Sequence, residues 1–185
     1  MLTREEYDVV LLCSILTSHH RYEIINLINL IPSHDQKIAV IGVGSGVELL
    51  FINSSNTTID AYDLSISNFA KKSFSNVNFF EHEFKSSENY YDVVYAIEIL
   101  EHLNNPFELL RVIYDSLRIG GKCIFTTTTN VPQFDHYYDF EVKELVAELG
   151  EIGFRISEYR VIKHESKFDN IDSSNAFFIV EKFEL

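Results

Sequence analysis

Three glycines in alternate positions, Gly42, Gly44 and Gly46, carry the first chemistry in this sequence. They sit in Val40-Ile41-Gly42-Val43-Gly44-Ser45-Gly46, after a β-type run and before Val47-Glu48-Leu49-Leu50-Phe51, which can start a helix. A strand, a glycine turn and a helix N-terminus bring bare backbone and orphan N–H groups against the anionic part of a nucleotide-like ligand. Two carboxylates follow. Asp63 falls close to the distance, about 20 positions on, at which an acidic residue accepts ribose hydroxyls in nucleotide folds. Capping of the next helix by Asp63-Leu64-Ser65 is the plainer use of the same residue. Glu83, followed by Phe84, ends a later β-type run. A carboxylate there can accept from an adenine amino group, or stand as a solvated charge in Glu81-His82-Glu83. Side chains able to take a proton come at later strand ends: Glu101, His102, His136, Tyr137 and Tyr138.

Spacing separates two cofactor classes. A dinucleotide fingerprint requires G-x-G-x-x-G/A, and its last position falls on Val47, so a nicotinamide or flavin dinucleotide is excluded at that residue. What stands is G-x-G-x-G, the pattern of S-adenosylmethionine (SAM) binding.

The elements that must position these residues are marked by the chain's own punctuation. Every glycine and proline lies between periodic segments. Thr3 can cap a first helix through the apolar positions Val9, Val10, Leu12, Cys13 and Leu16. A second helix, 20–30, places Ile24, Ile25, Leu27 and Ile28 inward before Pro32 ends it. Strands are expected at 37–41, 57–62, 77–80, 92–96, 122–127, 155–162 and 176–182. Helices are expected from the glycine loop to about Asn53, at 68–74, at 106–117 and at 140–149, the last ending at Gly150. Gly120-Gly121 should turn the chain into the fifth strand. This alternation implies an α/β fold, a doubly wound, seven-stranded, mostly parallel sheet. The last two strands have only a loop between them and should pair antiparallel at one edge. One domain over residues 1–185 is expected, with helices in 1–33 covering the site and an α/β core in 37–183.

Hydrophobic residues at 46% and charged residues at 23% are globular values. The formal net charge is -13, from 15 Lys+Arg against 28 Asp+Glu, which opposes DNA or RNA as the main partner. No signal peptide or membrane-length apolar stretch is visible. Cys13 and Cys123 sit in apolar sequence and read as reduced core residues, so the expected location is cytoplasmic.

With these residues placed, the chain resembles class I SAM-dependent methyltransferases. It is most similar to the small-molecule O- and N-methyltransferases related to those of ubiquinone biosynthesis. The motifs are Ile41-Gly42-Val43-Gly44-Ser45-Gly46, Asp63-Leu64-Ser65, and Tyr91-Asp92-Val93-Val94 leading to Glu98-Ile99-Leu100-Glu101-His102-Leu103. Gly120-Gly121 and Gly153-Phe154 complete the set, and the match spans residues 37–183. The resemblance implies a Rossmann-like methyltransferase fold and SAM as cofactor. It puts Asp63 on the ribose with Leu64 beside it, Glu83 and Phe84 near the adenine, and backbone around Ile97 and Glu98 beside the methionine part. One departure stands out. The family usually has an acidic residue two before the first loop glycine, where this chain has Val40.

Methyl transfer is an in-line displacement at a sulfonium, so the protein's main task is alignment. His102 and His136 are the candidate bases for a hydroxyl or amine acceptor. The polar and aromatic loop 130–139, with Phe134, Tyr137 and Tyr138, occupies the place of a substrate lid, and its aromatic residues suggest a flat acceptor. His19, near the junction of the first two helices, can close the site from above. Glu98, Glu101 and His102, with His136 downstream, also resemble the two-Glu, two-His metal site of methyltransferases that 2′-O-methylate the 3′ ends of small RNAs. Glu-x-x-Glu-His occurs as well in related enzymes acting on small molecules, so no metal is assigned. The expected activity is transfer of a methyl group to oxygen or nitrogen of a small metabolite or peptide. The alternatives are a non-catalytic methyltransferase-fold partner and a metal-assisted RNA 2′-O-methyltransferase. Acceptor and oligomeric state are not legible.

Overall fold

Thr3 and Glu6 close the first helix with a reciprocal capping box. The Glu6 amide donates to the Thr3 hydroxyl at 3.3 Å, and the Thr3 amide donates to the Glu6 carboxylate at 2.8 Å. The computed structural model describes residues 3–31, 36–52, 57–131, 133–164 and 173–184. Pro32, Asn53, Pro132 and most of the loop before the last strand lie outside the described residues. The chain packs as two compact units, residues 1–84 and 85–185.

In the first unit, α1 (Arg4–Thr17) and α2 (His19–Asn29) precede β1 (Lys37–Ile41), β2 (Thr58–Tyr62), α3 (Asn68–Ser73) and β3 (Val77–Phe80). α2 buries Ile24, Ile25, Leu27 and Ile28, as its spacing predicts. α1 does not follow its apolar stripe. It buries Asp8 and Ile15, while Val9, Val10, Leu12, Cys13 and Leu16 are exposed. Cys13 is therefore a surface thiol, and its expected place in the core is corrected. β1 pairs parallel with β2, and β2 parallel with β3.

The expected helix after the glycine loop is also corrected, because the described chain there makes only a 3₁₀ turn, Glu48–Leu50. The amides of Leu49, Leu50 and Phe51 each reach back three residues, to Gly46, Val47 and Glu48. The Ile52 amide reaches back four residues, to Glu48, and Leu49 and Ile52 are both buried.

In the second unit, β4 (Tyr91–Ala96), α4 (Pro106–Ser116), β5 (Leu117–Thr129), α5 (Val142–Ile152), β6 (Phe154–Lys163) and β7 (Ser174–Lys182) follow in order. Pro106 sits in the first turn of α4, where a missing N–H costs nothing, and the helix buries Phe107, Leu110 and Ile113. Two glycine assignments change. Gly150 lies inside α5, and Gly153, at φ 106°, caps it, because only there does the chain reverse into left-handed backbone. Gly120-Gly121 does not precede β5 but lies within it, at an irregularity where Tyr91 pairs with Leu117 and Val93 with Lys122. β4 and β5 are parallel, and β7 runs antiparallel to both β5 and β6. The strands make a seven-stranded mixed sheet in the order β3-β2-β1-β4-β5-β7-β6. Among the described residues, no helix is long and apolar enough to cross a membrane.

Candidate functional site

The first unit locks its glycine loop to the end of β2. The amides of Gly42 and Val43 both donate to the Tyr62 carbonyl, at 2.9 and 3.2 Å. Gly42, Gly44 and Gly46 all have positive φ (75°, 42° and 76°). A side chain at Gly46 would put a Cβ 2.8 Å from Ala70, so the loop also rests directly on α3. Ser67 caps that helix, donates from its amide to the Gly44 carbonyl at 3.0 Å, and accepts from the Ala70 amide at 3.0 Å.

Asp63 is the key of this arrangement. One carboxylate oxygen accepts from the Gly44 amide and the other from the Ser65 amide, each at 2.9 Å. An ionised carboxylate has about four lone-pair sites. Each oxygen thus keeps acceptor capacity, enough for two vicinal hydroxyls, on a half-buried residue. The helix-capping reading of Asp63 is corrected, because Ser67 caps α3 and Asp63 instead closes a turn through the Ser65 amide.

Around Asp63, Leu64 is exposed and Glu83 is exposed, while Phe84 is buried edge-on against Tyr62 at 5.1 Å. Tyr62 also stacks on Phe80 at 4.9 Å, and His82 lies 5.8 Å away. Val43, Ser45 and Val40 are buried. Beside the loop lies a cavity of ≈ 510 Å³, walled by Thr3, Asp8, Val9 and Leu12 of the N-terminal segment, Ser45 and Val47 of the loop, and Asn68, Phe69 and Lys72 of α3. Sequence reasoning missed the α3 wall. His19 is exposed and does not line this cavity.

The second unit gathers a different set. Ile97 is buried and Glu98, at φ 52°, occupies the left-handed region that non-glycine residues rarely adopt. The Thr126 hydroxyl holds that conformation at both ends. It accepts from the Glu98 amide at 2.9 Å and donates to the Glu98 carboxylate at 2.7 Å. The same carboxylate oxygen accepts from the side-chain amide of Asn175, on β7, at 2.6 Å. Asn175 in turn meets His164.

Four successive threonines end β5, all buried. Thr127 donates to the Glu101 carboxylate at 3.1 Å, and the Thr128 hydroxyl lies 3.3 Å from His136 Nδ1. Glu101 is only 1% exposed. Its backbone carbonyl accepts from the amides of Tyr137 and Tyr138, at 2.8 and 3.2 Å, so these loop residues are pinned to the short turn Leu100–His102 that follows β4. His102 and His136 face one another with ring centroids 5.0 Å apart.

The aromatic residues of that loop divide. Phe134 is 104% exposed and Tyr137 is exposed, both available to a ligand. Tyr138 turns inward, with its ring 5.6 Å from Phe107 and 4.6 Å from Phe140. Its hydroxyl donates to Glu144 at 2.6 Å, and that hydrogen bond pushes its pKa up to about 12. A cavity of ≈ 420 Å³ is lined by Asn130, Val131, His136, Tyr137, Tyr138 and their loop neighbours. The buried threonine run was visible as an unusual polar stretch in a core strand, and it carried no assignment; nothing in the sequence pointed to Asn175.

Solved structures of low identity share this fold. A putative S-adenosylmethionine dependent methyltransferase from Listeria monocytogenes matches with a TM-score of 0.74 at 13% identity, over 88% of this chain and 98% of that one. A 1,6-didemethyltoxoflavin-N1-methyltransferase from Burkholderia thailandensis, with its acceptor and S-adenosylhomocysteine bound, matches with a TM-score of 0.68 at 15% identity, over 100% of this chain and 92% of that one. The [4+2]-cyclase SpnF matches with a TM-score of 0.70 at 13% identity, over 97% and 82%. No curated protein matches the sequence. A family model described as a methyltransferase domain matches residues 16–165, most of the chain, and the protein therefore belongs to the methyltransferase domain family.

Proposed function

We propose that this protein is a SAM-dependent methyltransferase acting on an oxygen or nitrogen of a small molecule or peptide. The observation that carries the reading is the clamp between Gly44 and Asp63, which holds the loop amides and a carboxylate with spare acceptor capacity in one place. When bound, SAM supplies an electrophilic methyl group on a sulfonium. The chain's own residues bind and orient. Gly42 to Gly46 present backbone, Asp63 takes the ribose hydroxyls, and Leu64, Glu83 and Phe84 serve the adenine side. Ile97 and Glu98 serve the methionine part. Phe134 and Tyr137, both exposed, are the proposed acceptor contacts, and His102 and His136 the proposed bases for removal of its proton. The relation to ubiquinone-type methyltransferases and a cytoplasmic location belong to the same proposal.

Calorimetry with S-adenosylhomocysteine tests it directly. Absence of binding at millimolar ligand rejects the reading. A second reading, a non-catalytic partner of methyltransferase fold, draws support from Val40 and from the exposed apolar stripe of α1, where Leu16 is 87% exposed. Cofactor binding without a methylated product across a broad acceptor screen would favour it over the first.

A further inference from the structure

We propose that the cavity between α1, the glycine loop and α3 is a binding site for a small carboxylate carried on an apolar chain. The cavity lies within the first unit, and its volume of ≈ 510 Å³ falls in the range of small-molecule sites, about 300–1,000 Å³. Val9 and Leu12 of α1, Val47 of the loop and Phe69 of α3 give it an apolar wall. Val9 is 60% exposed, Leu12 41% and Phe69 52%, so that wall is open to a ligand.

The space present selects a small molecule over a docked helix. A two-turn helix, about 11 Å long and 10–12 Å across, occupies roughly 850–1,200 Å³ and would stand largely outside the cavity.

Lys72 sets the charge of the ligand. Asn68 and Lys72 are four residues apart on α3 and share the face that lines the cavity. Lys71, next to it, is held by Glu81 at 2.8 Å, whereas Lys72 makes no ion pair or hydrogen bond among the described residues. An ammonium left in that state in a chain of net charge -13 is the complement of an anionic head. A carboxylate can accept from the Lys72 ammonium and the Asn68 side-chain amide together. Asp8, the buried carboxylate on the α1 side, is engaged within the fold and repels an anion from that side. The ligand therefore lies with its head on α3 and its chain along Val9 and Leu12. Neither Asp63 nor a cofactor takes part, so the site stands or falls apart from the methyl-transfer reading.

The test titrates the full chain with sodium octanoate and, in parallel, with octan-1-ol, which has the same chain length and no charge. Calorimetry should show one octanoate per chain with a Kd at or below about 1 mM. Lys72→Gln, at an exposed side chain, should weaken octanoate by roughly three- to tenfold and leave octan-1-ol unchanged, and Lys72→Arg should restore octanoate. Phe69→Ala should weaken both ligands by about fivefold. A second readout locates the ligand without any variant. The methyl resonances of Val9 and Leu12 should shift as octanoate is added, while those of Leu110 and Ile113, buried in the second unit, stay in place and report an intact fold. Absence of both heat and shifts at several millimolar octanoate overturns the site. So does a Lys72→Gln chain that binds octanoate as before or loses both ligands equally, and so do shifts confined to methyl groups away from α1 and α3.

Discussion

Asp63→Ala removes, in one substitution, both the lock on the glycine loop and the proposed acceptor for the ribose. The carboxylate accepts two amide hydrogens, from Gly44 and Ser65. Hydrogen bonds to a charged group contribute about 1.5–3 kcal/mol each. Loss of two to the ribose, partly replaced by water, should cost about 1.4–4.1 kcal/mol of binding, a tenfold to thousandfold rise in Kd. Asp63→Asn sharpens the test. Its amide keeps one acceptor oxygen but turns a donor toward either the Gly44 or the Ser65 amide, so a hydrogen must face a hydrogen. Binding should fall at least about tenfold although the shape is nearly unchanged. Calorimetry with S-adenosylhomocysteine measures the affinity, and hydrogen exchange at the Gly44 amide measures the loop, which should exchange faster in both variants. Should Asp63→Ala bind within about threefold of the unaltered chain, less than about 1 kcal/mol, the carboxylate does not hold the ligand and the reasoning fails.

Other expectations can be checked with the same preparations. Gly46→Ala forces left-handed backbone on a side chain, about 1–2 kcal/mol, and adds the 2.8 Å contact with Ala70, so urea unfolding should show a clear loss of stability. Gly150→Ala, inside α5 with nothing within 4 Å of the new methyl, should instead stabilise by about 0.5–1 kcal/mol. An aromatic disulfide reagent should modify Cys13 in the native chain and Cys123 only after denaturation, because burial raises the pKa of Cys123 and hides its sulfur. Fast modification of both native thiols would contradict the packing of β5. Tyr138 gives a pH signature. Its folded pKa is raised, so its contribution to stability is complete below the ordinary tyrosine value near 10 and is lost as pH climbs toward about 12. Tyr138→Phe should remove one late-titrating phenolate from the ultraviolet titration, and superimposable curves would contradict the Glu144 bond.

What the sequence made legible was governed by local rules. β1 and β3 begin and end where periodicity and flanking turn residues place them. The spacing places Asp63 at the end of β2, and β2 lies beside β1, but the bond from the Gly44 amide to its carboxylate is not legible from it. Where reasoning failed, burial by distant parts of the chain decided. Val9, Leu12, Cys13 and Leu16 have helical spacing, yet the face of α1 that packs inward carries Asp8 and Ile15. Periodicity reports that a stripe exists and does not say what covers it. The turn after Gly46 winds as 3₁₀ over Glu48–Leu50, and local propensity does not encode that choice. Gly150 and Gly153 are both plausible stops in the sequence, and Tyr114, whose hydroxyl lies 2.9 Å from where a Cβ at Gly153 would stand, marks how closely the true cap is packed. Thr126 and Asn175 escaped notice since neither is chemically suggestive until Glu98 is seen between them.

The bond from Asn175 to Glu98 joins residues 77 positions apart. The strained glutamate therefore gains its second support only after β7 has been made, well after β4. Until β7 emerges, one edge of β5 also has no neighbour, and such open edges invite pairing with other chains. β7 is thus both the guard of that sheet edge and the finishing piece of a cluster whose other members are made much earlier, so a chain halted before β7 is left sticky and incomplete together.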